Sequence, residues 1–124
     1  MRDTIIIENL EIWPEDFPER LTWHEAMAAV EAMEPAESFG GGWRLPTFQE
    51  LKETIYLNRF NIPGIDVYDR GEYWSGTEIN HHSSWYFRFM SRDSFGTSKD
   101  DRRLVRPVRD FDGKIALDYL LKDF

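Results

Sequence analysis

Three histidines are the only side chains with an ordinary pKa near neutrality, and two of them, His81 and His82, stand together in "EINHHSS" beside Glu78. Two imidazoles and a carboxylate suggest a divalent metal. However, neighbouring side chains diverge on a strand, and no further ligand stands at a suitable spacing, so they read as loop histidines. Ser83 and Ser84 follow without the strand–turn–helix elbow that exposes a nucleophile. His24 falls on the first turn of a predicted helix. There are no cysteines, hence no thiolate nucleophile, disulfide or Cys-ligated metal. With 23 acidic residues, a pair of carboxylates carries no information about acid–base chemistry. The glycines before "WRLP" fail as a phosphate loop, since no Lys-Ser/Thr follows and the proline removes a needed N–H. The residues thus predict no catalytic group, metal or cofactor, and a protein that is not an enzyme.

More informative are arginines set among aromatics: Arg44 beside Trp43, Arg88 inside "WYFRF", Arg106 and Arg109 inside "VRPVR". A planar guanidinium stacks on rings and forks onto carboxylates. Two uses stay open. Arg88 and Arg106 pair with acids or stack on Trp to tie strands together, or they form a binding face with Trp and Tyr, residue types that interfaces favour.

The elements that must position these residues follow from local pattern. "TIIIE" predicts a short strand near the N-terminus, and "WPEDFP" a proline-punctuated loop. Thr22 caps a helix with Glu25 as its reciprocal partner, and Trp23, Ala26, Met27, Val30 and Met33 form its apolar stripe until Pro35. The glycines at 40–42 connect to a second helix. Trp43 and Leu45 enter the core, Pro46 pre-sets the backbone, Thr47 and Glu50 repeat the capping box, and Phe48, Leu51 and Ile55 face inward as far as about Asn58. "RFNIPGIDVYDRGE" is loop chemistry. The period then changes from 3.6 to 2. "YWSGT" is a strand. "SWYFRFM" is another, with Trp85, Phe87 and Phe89 on one face and Tyr86, Arg88 and Met90 on the other. "SRDSFGTSKDD" is a turn-rich connection with a short strand near Phe95. "RRLVRPVRDF" is an edge strand, or one ending at Pro107, and "GKIALDYLLKDF" a short terminal helix. Helices followed by antiparallel strands predict an α+β fold, one domain over 1–124.

The chain has 124 residues and is 41% hydrophobic and 15% aromatic, too rich for disorder and long enough for a core. Its formal charge of −8 repels phosphate backbones and argues against nucleic acid as a partner. Six arginines and a lysine nonetheless gather between 88 and 109. No membrane span and no apolar signal run are visible, so a cytoplasmic location is expected.

"LTWHEAM", "GGWRLPTFQEL", "YWSGT", "SWYFRF" and "VRPVR" stand in this order over about residues 20–109. The set resembles the bacterial domain family named after the C-terminal domain of the Legionella collagen-like adhesin. The resemblance implies a C-type-lectin-like fold, with two helices packed on a small twisted antiparallel sheet and long loops that bind a ligand or partner. The residues of calcium-dependent sugar sites do not carry over. Glu34-Pro35-Ala36 lacks the amide of Glu-Pro-Asn, Trp-Asn-Asp is missing, and neither lectin disulfides nor the cysteines of formylglycine-generating relatives are present. The segment 111–124 extends beyond the motifs and offers a route to oligomerisation.

Together these readings predict a non-enzymatic binding module for a protein partner. Its face is expected to come from the loops at 78–84 and 91–103, with His81, His82, Trp85, Tyr86, Arg88, Arg92 and Lys99. Trp23, Trp43, Arg44, Leu45, Pro46, Trp74 and Arg106 are expected as scaffold. Carbohydrate binding by an adhesin-type domain, and an acidic phage-type inhibitor of a basic enzyme, are the alternatives.

Overall fold

Branched isoleucines resist helix formation and pack well on a pleated surface. Ile5–Ile7 accordingly forms β1, which turns through Glu8 and Asn9 into β2, Leu10–Ile12. The computed structural model describes residues 4–33 and 42–111. Pro35, Glu34-Pro35-Ala36, Gly40, Gly41 and the terminal helix expected over 113–124 lie outside them.

β2 is not legible in the sequence, yet it is the middle strand of a three-stranded antiparallel sheet ordered β1-β2-β6. Its other neighbour, β6 (Val108–Asp110), begins directly after Pro107. The proline thus precedes an edge strand, and its missing N–H interrupts no ladder.

Helix α1, Trp23–Glu31, carries both halves of the capping box between Thr22 and Glu25 and buries Trp23, Ala26 and Val30. The second predicted helix is shorter and differently wound. Phe48 and Gln49 lead into a π-helix, Glu50–Ile55, in which Tyr56 N–H reaches Leu51 O at 2.9 Å. In an α-helix Tyr56 would stand well off the Leu51–Ile55 stripe. The wider i→i+5 turn brings it beside them and onto Phe87 and Phe89, with ring centroids 5.7 and 5.9 Å away. The reciprocal bonds between Thr47 and Glu50 are present all the same.

The second sheet is ordered β3-β4-β5: Glu72–Glu78, Ser83–Arg88 and Asp93–Ser98, all antiparallel. β5 is a full strand where a turn-rich connection with a brief strand was expected. There are therefore two sheets, one α-helix and a π-turn among the described residues, in place of two helices on a single sheet. One face of β3-β4-β5 packs Trp74 with α1 and Val105; the other packs Tyr73, Phe87 and nearby Phe89 with Leu51, Ile55 and β2. Burying one such side chain stabilises by about 1.5–3 kcal/mol, whereas a solvent-exposed pair such as Arg102–Glu25 is screened by water and adds little. Packing decides the fold.

The motifs lock to one another. Trp23 Nε1 donates to Ser75 O at 3.0 Å, and Trp74 Nε1 to Leu21 O at 2.7 Å. The β3–β4 register shifts between Trp74 and Glu78. There Gly76 N–H turns to Pro46 O at 2.8 Å, while Thr77 Oγ1 accepts from Phe48 N–H at 3.1 Å.

Candidate binding surface

The residues that sequence pattern selected for one face fall in five places. His81 and His82 are exposed in the β3–β4 turn, where Asn80 Oδ1 accepts from the N–H groups of His82 and Ser83, both at 2.9 Å. Arg92 lies at the far end of the sheet, in the β4–β5 turn. Trp85 and Tyr86, consecutive on β4, point to opposite faces. Trp85 packs on Phe48 at 6.1 Å, whereas Tyr86 meets Phe95 at 5.8 Å.

Lys99 requires a correction. It is buried, with its Nζ 2.6 Å from Glu78 Oε2 and 4.3 Å from the Trp23 ring centroid. Its side chain holds α1 against the end of β3 and presents no charge to a partner. The hydrogen bond from Lys99 is the main cause that keeps the Glu78 carboxyl below its ordinary range.

The scaffold residues Trp23, Trp43, Leu45, Pro46, Trp74 and Arg106 are all buried. Arg44 is half-buried and forks onto Glu50 at 2.7 and 2.9 Å while reaching Asp110 at 2.7 Å. Arg109 pairs with Glu11 directly across the β2–β6 ladder and stacks on Trp43 at 4.6 Å. Arg106 Nε donates to Asp16 at 2.7 Å, and its other nitrogens to Trp13 O and Pro63 O. Tyr73 Oη donates to the same carboxylate at 2.6 Å. Burial pushes the Asp16 carboxyl above its ordinary value despite the Arg106 charge, and burial first, then Asp16, raises the Tyr73 phenol.

One face of the sheet is open to solvent near its β5 edge, where Asp93 and Phe95 are exposed. Residues directly opposite in an antiparallel ladder share a face. Arg88 thus stands between Glu72 and Asp93, and Tyr86 between Trp74 and Phe95. Arg103 lies over the Tyr86 ring at 4.4 Å and reaches toward Glu72, which Arg20 also approaches at 3.7 Å. With Glu72 engaged by Arg20 and Arg103, Arg88 has no ion pair among the described residues, and its buried Nε lacks a hydrogen-bond partner. Phe95 is exposed alongside. Of this tile, sequence reasoning selected Tyr86 and Arg88. Phe95 and Arg103 fall inside the 91–103 segment expected to contribute to the face but were not singled out, although an aromatic in a serine- and glycine-rich strand is a signal that can be read.

Among the described residues no group of three His, Cys, Asp or Glu side chains is arranged to hold a metal ion, and no helix is long and apolar enough to cross a membrane. Six chains of solved structures match this fold. One is the crystal structure of botrocetin, with a TM-score of 0.60 and 12% identity, covering 87% of this chain and 96% of that one. At that identity the likeness shows the fold alone. The fold is C-type-lectin-like. The family model for the Lcl C-terminal domain matches residues 8–109, and the chain belongs to that family. No curated protein matches it.

Proposed function

We propose that the chain is a non-enzymatic binding module that recognises a protein through the open face beside β5, where Arg88, Phe95, Tyr86 and Arg103 stand together. The observation that carries this reading is Arg88. It sits between two acidic cross-strand neighbours without an ion pair among the described residues, and exposed Phe95 stands on the same face, diagonally across the ladder. A guanidinium left unpaired in a chain of net charge −8 is available to a partner's carboxylate or carbonyl groups. Family membership and the lectin-like fold support a binding role at the coarser level.

The test is the variant Arg88→Gln with Phe95→Ser, compared with the native chain in cross-linking and mass spectrometry from the host. Tyr86 is left alone because it packs against the α1 core and carries Arg103. A defined partner should cross-link to the native face and be lost in the variant, with the melting temperature unchanged within a few degrees. Undiminished capture overturns the proposed face. Binding on a glycan array, with or without calcium, overturns the protein-partner reading in favour of carbohydrate.

A further inference from the structure

A second surface lies away from that face, where the π-turn, the following 3-10 helix (Arg59–Asn61) and the β4–β5 turn converge. Tyr56 is anchored from below by Phe87 and Phe89. Two guanidiniums lie over its ring, Arg59 at 4.1 Å and Arg92 at 5.1 Å. Arg59 also covers the Phe60 ring at 4.5 Å and is fixed by a 2.8 Å hydrogen bond to Tyr56 O. Arg92 is held by its backbone. It is a non-glycine residue with φ 53°, and its N–H closes the turn onto Phe89 O. Left-handed conformations of such residues cost energy and persist where the surroundings impose them. Around these cations Phe60 is 81% exposed, with Leu57 at 59% and Met90 at 57%.

Charge identifies the occupant. Arg20, Arg44, Arg102, Arg103, Arg106 and Arg109 all hold carboxylates. Arg59 and Arg92, like Arg70 and Arg88, have no ion pair among the described residues, although the chain carries eight more acidic than basic charges; of these four, only Arg59 and Arg92 are stacked together on one ring. Stacking on Tyr56 orients both guanidiniums without neutralising their charge, so the ordering entropy of two long side chains is already partly spent before a ligand arrives. We infer that the Tyr56–Arg59–Phe60–Arg92 patch docks an acidic linear segment of a partner protein. Its carboxylates fork onto Arg59 and Arg92, and an apolar or aromatic side chain lies on Phe60. Nucleic acid fits less well, because a backbone with a charge at every nucleotide meets the net −8 surface beyond the patch, whereas the few carboxylates of a short segment are matched by the two cations.

The experiment is selection from a random dodecapeptide library displayed on phage against the whole chain. The measured dissociation constant of the leading synthetic peptide follows, with a single-stranded oligonucleotide and sedimentation of the chain alone as parallel arms. Enriched peptides should carry Asp or Glu flanking an aromatic or aliphatic residue. Their affinity should fall at least about tenfold in Arg59→Gln/Arg92→Gln and in Phe60→Ser, and fall again with added salt. It should be unchanged in the Arg88→Gln/Phe95→Ser variant, which separates this surface from the face proposed above. Circular dichroism confirms that each variant is folded. No enrichment, enriched peptides without acids, or full affinity in both patch variants overturns the inference. So does tighter binding of the oligonucleotide at the same residues, or a self-association of the chain that those variants abolish.

Discussion

Arg106 and Asp16, 90 residues apart in the chain, meet in a 2.7 Å ion pair whose guanidinium is fully buried. Tyr73, which donates to Asp16, and the Trp13 and Pro63 carbonyls, which accept from Arg106, complete the set, so the N-terminal loop, the 62–66 segment and β3 converge on one ion pair. Every strong donor and acceptor there is matched within the protein. That makes it a structural centre, in contrast to Arg88.

Removing one member of such a cluster leaves the other charge stranded in a poorly solvated place. Arg106→Met is expected to lower unfolding stability by about 3–5 kcal/mol, read from the urea midpoint. Adding Asp16→Asn should recover part of the loss, because it removes the orphaned carboxylate. A loss below about 1 kcal/mol would contradict the assignment.

Asp16 and Glu50 should titrate in opposite senses. Burial raises the Asp16 carboxyl above 3.8, and Arg106 and Tyr73 offset only part of that. Burial pushes the Glu50 carboxyl upward too, but the bonds from Arg44 and the Thr47 N–H outweigh it and hold Glu50 below 4.5. A raised carboxyl contributes stability that is present below its unfolded value and lost as pH rises through the folded one. A lowered carboxyl contributes stability present above its unfolded value and lost as pH falls. Side-chain carboxyl NMR should place the Asp16 midpoint above 3.8 and that of Glu50 below 4.5. Glu50→Gln should flatten the acid loss of stability below about pH 4.5, and Asp16→Asn the decline above about pH 3.8.

Two glycines separate by what surrounds them. A Cβ at Gly71 would lie 2.0 Å from Asp66 O, a backbone atom that cannot yield. Gly71→Ala should cost about 3 kcal/mol or more. At Gly96 the obstacle is Ile79 Cδ1 at 2.5 Å, the free end of a side chain that is 43% exposed. Ile79 can rotate into solvent, so Gly96→Ala should stay within about 1 kcal/mol of the native chain. Thermal melts of the pair decide both.

Lys99→Met keeps the apolar stem but removes the bond to Glu78 and the contact with Trp23. Its expected cost is about 1–3 kcal/mol, with partner capture by the folded protein undiminished. Loss of capture without loss of stability would return Lys99 to the binding face.

What could be read from sequence was local. Thr22–Glu25 and Thr47–Glu50 close within three residues, and their bonds need nothing from elsewhere. The family motifs were legible because each is one side of a contact that the fold completes, as with Trp74 and Leu21. β2 was hidden, since a three-residue strand has too little alternation to register and its partner is remote. Lys99 was misread because a lysine in a polar, turn-rich stretch looks solvated until Trp23 and Glu78 are placed around it. Asp16 looked like loop chemistry for the same reason. Phe60 and Arg59 carry no legible signal in the sequence, because their meaning depends on Tyr56 being turned by a π-helix, which a periodicity of 3.6 does not anticipate.

The middle position of β2 also sets a timetable. Glu11 waits for Arg109, 98 residues later, before that sheet can close. Until then β1 and β2 are an isolated hairpin with the β2 edge uncovered, and such hairpins are marginal in water. A ribosome must have released nearly the whole described chain before the first strands find their last neighbour. Contacts this distant slow folding, which should fall in the range of milliseconds to seconds, with the Arg109–Glu11 contact among the last to form.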